Sequence, residues 1–80
     1  MTITLTCFGI TKEIIGEFSY TMTLPDGATV ADLKQLLTEQ FPALKRLTSL
    51  RIARNEVYAE DTDILLATDE IVLIPPVSGG

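Results

Sequence analysis

The chain has 80 residues, with 6 basic side chains against 11 acidic ones, a formal net charge of −5, 46% hydrophobic residues, one cysteine, no histidine and no tryptophan. At that length there is room for one small domain, spanning 1–80, which buries roughly 60–65% of the surface its unfolded form exposes. Cys7 alone makes neither a disulfide nor a Cys/His metal cluster, and without histidine there is no ordinary general base near neutral pH and no Ser-His or Cys-His nucleophile.

The acidic balance argues against a nucleic-acid binder, which needs clustered Lys and Arg. No apolar run approaches the roughly 18 residues of a membrane span. No charged segment followed by an apolar one opens the chain, so a cytoplasmic protein that is not exported is expected. Charge is unevenly spread. Residues 1–54 hold all six basic residues, Lys12, Lys34, Lys45, Arg46, Arg51 and Arg54, against five acids, a net of +1. Residues 55–80 hold Glu56, Glu60, Asp61, Asp63, Asp69 and Glu70 with no base, a net of −6. That segment reads either as a solvated acidic edge or as an end that docks on a basic partner surface behind the tail.

Thr2 to Cys7 alternates strictly, with Ile3, Leu5 and Cys7 on one face and three threonines on the other, the pattern of a half-buried strand. The connection from Gly9 to Gly16 is expected to hold one helical turn around Lys12-Glu13-Ile14-Ile15. A second alternating strand follows, with Phe18, Tyr20, Met22 and Leu24 inward, and Pro25-Asp26-Gly27 as the turn that ends it. Thr29 and Asp32 have capping-box spacing, and Val30, Leu33, Leu37 and Phe41 then recur at helical spacing. Pro42 stops this helix at Phe41.

Leu50 to Arg54 alternates again as a third strand, with Asn55-Glu56 turning into Val57-Tyr58, and Ile64-Leu65-Leu66 is a short apolar patch among acids. Ile71-Val72-Leu73-Ile74 is apolar without alternation, as in a strand covered on both faces. The order predicts an α+β fold of the β-grasp (ubiquitin-like) type: a mixed sheet of 4–5 strands packed on one main helix, the last strand central beside the first, and an extended C-terminal tail.

That tail, residues 75–80, is Pro75-Pro76-Val77-Ser78-Gly79-Gly80. Two prolines remove ladder donors and fix φ, so the strand ends and the chain projects. Two glycines then strip the last positions of side chains, and a flexible, slender end can thread a narrow channel and present its α-carboxylate to another protein. A Gly-Gly pair alone also suits a frayed terminus; behind a Pro-Pro spacer and a core strand it suits delivery.

Together these segments resemble the ubiquitin-like sulfur carriers of the MoaD/ThiS family, most closely the MoaD-type small subunits of molybdopterin synthase. The resemblance runs through Cys7-Phe8-Gly9, Lys12-Glu13 and Gly16, through Thr29 to Leu33, through Ala53-Arg54-Asn55, and above all through Asp69 to Gly80. Carriers of the thiamin pathway share the glycines but typically lack the Pro-Pro spacer. Three departures stand out: Arg54 where an apolar residue is usual, Ala67-Thr68 where a Gly-Asp-Glu turn is usual, and Lys12 where Arg is common.

The resemblance implies a carrier that is itself the substrate. A MoeB-type adenylating enzyme, resembling those that activate ubiquitin, would use ATP to couple the Gly80 carboxylate to AMP. Sulfur from a donor protein would then leave a thiocarboxylate, delivered to cyclic pyranopterin monophosphate in the MoaE-type large subunit, to form the molybdopterin dithiolene. Two loaded carriers per pterin imply a heterotetramer of two small and two large subunits. The isolated chain would catalyse nothing and hold no metal or cofactor of its own. Pro75, Pro76, Val77, Ser78 and Gly79 would insert with Gly80, and Phe8, Tyr58 and Ile74 are candidate partner contacts beside the tail. Cys7 shares the inward face with Ile3 and Leu5 and reads as a buried, inert thiol. Two other readings remain at this point: a carrier for another thio-metabolite or dual-use protein modifier, and a β-grasp interaction module whose tail is never activated.

Overall fold

The computed structural model describes residues 1–47 and 50–75. The chain runs through β1 (Thr2–Cys7), α1 (Gly9–Ile15), β2 (Ser19–Thr23), α2 (Val30–Gln40), a 3-10 helix (Pro42–Arg46), β3 (Arg51–Arg54), β4 (Val57–Tyr58) and β5 (Ile71–Ile74). The strands form one sheet in the order β2-β1-β5-β3-β4. β1 pairs antiparallel with β2, Thr6 opposite Ser19, and parallel with β5, Cys7 opposite Leu73. β5 pairs antiparallel with β3, Arg51 opposite Ile74 and Arg54 opposite Ile71. This is the β-grasp arrangement, with the last strand at its centre.

Alternation decides the buried face. Ile3, Leu5, Cys7, Met22, Ile52, Ile71 and Leu73 turn from the sheet onto Val30, Leu33 and Leu37 of α2, and the threonines of β1 and β2 largely face water. Burying these side chains is the main source of stability for so small a fold. The start of α2 is a reciprocal cap: Thr29 Oγ1 accepts from the Asp32 amide at 3.3 Å and Asp32 Oδ2 accepts from the Thr29 amide at 3.0 Å. Asp thus serves where the motif prefers Glu. The helix ends at Gln40, since Pro42 pushes Phe41 out of helical geometry, to φ −128° and ψ 79°. Phe41 then packs edge-on against Tyr20 with ring centroids 5.3 Å apart.

Three expectations are corrected. Phe18 does not point inward: it precedes β2, is 52% exposed, and turns its ring edge-on to Phe8 at 5.5 Å. β5 is covered on one face only. Ile71 and Leu73 are buried, whereas Val72 and Ile74 are half-buried, because both helices contribute to the same core and, among the described residues, no layer lies over the threonine face. The first helix spans Gly9–Ile15 rather than a single turn, and closes on Gly16 at φ 89°, whose amide donates to the Lys12 carbonyl at 2.7 Å. Left-handed geometry of that kind suits glycine.

Candidate functional site: the root of the tail

β5 delivers the chain to Pro75, the last described residue, which is half-buried. Pro76, Val77, Ser78, Gly79 and Gly80, the residues assigned to insertion and chemistry, lie outside the described residues. The structure therefore defines the site from its root. Pro75 passes over the start of α1, where Gly9 has φ +54° and a Cβ would stand 3.7 Å from the Pro75 ring. The distance is ordinary; the left-handed backbone is what favours glycine here.

Phe8 joins β1 to α1 and is held at both ends of its backbone. Its amide donates to Thr11 Oγ1 at 3.0 Å, and the same hydroxyl donates to the Phe8 carbonyl at 2.6 Å. Thr11 is fully buried, so this double bond fixes the strand-to-helix turn from beneath. The Phe8 ring is left 46% exposed beside the tail root, edge-on to Phe18. Lys12 Nζ lies 6.0 Å from the Phe18 ring centroid.

On the open face, Ile74 stands opposite Arg51, and the Arg51 guanidinium lies 4.2 Å from the ring centroid of Tyr58, which is 55% exposed. Stacking of this type is worth about 0.5–1 kcal/mol at an exposed site. Of the three contacts expected from sequence, Phe8 and Tyr58 are well exposed, and Ile74 is half-buried on the open face of β5. Phe18 and Arg51 were not foreseen. Phe18 was hidden by its parity with β2; Arg51 gave no signal until its cross-strand neighbour was known.

Cys7 is fully buried, and burial, seconded by the charge of Glu17, pushes its thiol pKa up. A thiol that resists ionisation is a poor nucleophile, in keeping with a core role. Among the described residues no group of three or more His, Cys, Asp or Glu side chains could hold a metal ion, and no helix is long and apolar enough to cross a membrane.

Several of the acidic residues lie at the far end of β5 from the tail, whereas Glu60 follows Ala59, whose amide donates to the Ile52 carbonyl at 2.8 Å, and so stands level with Arg51. The Asn55 amide donates to the Glu70 carbonyl at 2.8 Å, which places Glu56, Asp69 and Glu70 at the start of β5, the opposite end from Pro75. Asp61 lies against the first turns of α2, where its carbonyl accepts from the Ala31 amide at 3.0 Å and its carboxylate meets Lys34 Nζ at 2.8 Å. A basic surface seeking Glu56, Asp69 and Glu70 would approach from behind the tail, at the far end of β5.

Comparison with known proteins bears on this arrangement. The model of the ThiS family matches residues 5–80. The molybdopterin synthase sulfur carrier subunit of Arabidopsis thaliana is 35% identical over 74 residues, covering 91% of this chain and 77% of that protein. Crystalline SAMP1, a small archaeal modifier protein of Haloferax volcanii, superposes with a TM-score of 0.83 at 28% identity over the whole of both chains. A chain in the protein–protein complex of subunits 1 and 2 of molybdopterin-converting factor from Helicobacter pylori 26695 is 26% identical with a TM-score of 0.68, over all of both chains. A match that runs from the first strand through the last tail glycine, on a sheet of the same fold, establishes that the chain belongs to the ThiS family.

Proposed function

We propose that the chain is the sulfur carrier subunit of a molybdopterin synthase, working in the cytoplasm with Gly80 as its reactive residue. The observation that carries this reading is a family match extending through residue 80, in a chain whose tail leaves the central strand directly. Its likeness to sulfur carrier subunits of that name supports the pathway.

The chemistry follows from the terminus. A carboxylate is a poor electrophile; attack of the Gly80 carboxylate on the α-phosphorus of ATP releases pyrophosphate and leaves an acyl adenylate with AMP as a good leaving group. The terminal sulfur of a persulfide displaces AMP, and a second thiol of the donor protein cleaves the S–S bond, leaving a donor disulfide and a thiocarboxylate on Gly80. That sulfur is anionic at neutral pH and nucleophilic without a neighbouring base. The acids and bases of the transfer to cyclic pyranopterin monophosphate then belong to a large subunit. Subunits 1 and 2 of the Helicobacter pylori factor form such a complex, which supports a corresponding partner here. Two sulfurs per dithiolene call for two loaded carriers and a heterotetramer.

The purified chain, incubated with an adenylating enzyme, ATP and a persulfide donor, should gain the mass of one oxygen replaced by one sulfur. Deleting Gly79-Gly80 should abolish that gain, and full activity of the truncated chain in dithiolene formation would disprove the reading. The likeness to a small archaeal modifier protein favours a second use, in which the activated Gly80 is captured by a lysine amine of another protein. Isopeptide-linked Gly80 found in tryptic digests of cell protein would establish it.

A further inference from the structure

The sheet ends in two unlike edges, β2 and β4. β4 is a two-residue strand flanked by Glu56 and Glu60, and shortness and charge both keep an edge from pairing with another chain. β2 has neither protection. Its five residues, Ser19-Tyr20-Thr21-Met22-Thr23, carry no charge and no proline. They run in unbroken register with β1 from Ser19 opposite Thr6 to Thr23 opposite Thr2, without a bulge.

The ladder with β1 fixes which backbone groups of β2 are free. The Cys7 amide donates to the Phe18 carbonyl at 2.7 Å and the Leu24 amide to the Met1 carbonyl at 2.8 Å, so Phe18 and Leu24 sit at hydrogen-bonded positions. Such positions alternate along an antiparallel pair. Tyr20 and Met22 therefore also bond to β1, while Ser19, Thr21 and Thr23 turn N–H and C=O outward, where no strand among the described residues meets them. All three are exposed. The strand is fixed from the core side, since Met22 is buried and Tyr20 packs on Phe41 and donates from its hydroxyl to Gln40 Oε1 at 2.9 Å. An edge ordered in advance costs less to pair.

We propose that β2 pairs antiparallel with β2 of a second copy of this chain, about a two-fold axis at Thr21, to form one continuous sheet. The outward groups are spaced symmetrically about Thr21. A register that sets Thr21 opposite Thr21 and Ser19 opposite Thr23 thus satisfies every outward donor and acceptor of both copies. The side chains agree with it. The open face already pairs Thr4 with Thr21, Thr6 with Ser19 and Thr2 with Thr23, and the two-fold extends these hydroxyl rows across the joint. On the core side it sets Tyr20 opposite Met22, an aromatic–thioether contact. Charge also permits it. Each copy has a net charge of −5, but the strand is neutral. The acids at its ends are Glu17 and Asp26, and Asp26 meets the Met1 ammonium of its own chain at 3.3 Å. The tail is not obstructed: β1 separates β2 from β5, so β5 runs about 10 Å from the edge, and the two-fold sends the two tails out at opposite ends.

The test is sedimentation equilibrium of the full chain, which should show a reversible dimer with a dissociation constant of about 0.1–1 mM, as suits so small an interface. Amide exchange at Ser19, Thr21 and Thr23 should slow by about 2-fold or more at ~1 mM chain relative to dilute solution, with Tyr20 and Met22 unchanged. Adding NaCl should tighten the dimer, since the copies are alike in charge. Thr21→Lys and Thr21→Glu should each stay monomeric with native circular dichroism, because like charges would face each other across the axis, and an equimolar mixture of the two should dimerise. A wild-type chain that is monomeric at about 1 mM overturns the proposal, as does dimerisation that both variants retain or a mixture that stays monomeric. If the chain is monomeric and Thr21→Lys instead weakens binding to a large subunit, the edge belongs to that partner and self-pairing is wrong.

Discussion

The one-sided burial of β5 can be tested by truncating its two faces in turn. Leu73 is fully buried between Cys7 and Ile52, and Val72 beside it is half-buried on the open face. Leu73→Ala removes packed methyl groups and leaves a cavity that a small core cannot close, a loss of about 3–4 kcal/mol. Val72→Ala removes two methyl groups that are only partly sheltered, a loss of about 1 kcal/mol. At ~0.05–0.15 kcal/mol per residue the whole fold is stable by only about 4–12 kcal/mol, so the first variant forfeits a large share. In a domain of this size, the melting temperature should fall by roughly 15–25 °C for Leu73→Ala and about 5 °C for Val72→Ala. Thermal and urea denaturation followed by circular dichroism measure both. Equal losses would mean that the second face is covered after all, and a loss under about 1 kcal/mol for Leu73→Ala would remove that residue from the core.

Other features give sharp outcomes. Thr11→Val deletes the hydroxyl that serves both the Phe8 amide and the Phe8 carbonyl, and should cost about 1–3 kcal/mol in urea denaturation. Phe8→Ala and Tyr58→Ala should each weaken binding to the large subunit by about 10-fold or more in calorimetry, with little change in melting temperature. The Cys7 thiol has its folded pKa raised, so folding holds its proton more tightly than the unfolded chain does. Its contribution is complete below the unfolded thiol pKa and is lost as pH rises towards the folded one, by up to about 1.4 kcal/mol per pH unit. Stability measured across the alkaline range should show that decline, and Cys7→Ala should flatten it.

Much of the fold was legible because its elements obey simple periods. The threonine alternation of β1, the Thr29–Asp32 cap and the Pro42 stop each reappear with the geometry their residue types dictate. The central place of β5 was legible from its unbroken hydrophobicity, but its one-sided burial was not, because apolar residues on a covered face and on an open face read alike along a strand. Phe18 follows the parity of β2 and departs from it only because the strand begins one residue later. Arg54 looked like an isolated departure until Ile64 and Asp69 were brought to it from ten or more positions away. Where the acidic residues stand in space was not legible, because the reversal of the chain between β3 and β5 carries Glu56, Asp69 and Glu70 to the end of the sheet opposite Pro75. The exposure of Phe8 and Tyr58 was legible from their positions along the strands. Arg51 was not, since its stacking on Tyr58 depends on a cross-strand neighbour.

The placement of β5 also settles how the protein takes mechanical load. Whatever draws on the tail pulls along the axis of β5, which is bonded to β1 on one side through three register pairs and to β3 on the other through four. Force along a strand held on both flanks loads both ladders in shear, so the bonds share it instead of opening one after another as they would at the hairpin edge β4. A tail rooted in the middle of the sheet can be drawn on and released without unzipping the sheet, and the domain behind it acts as a stop.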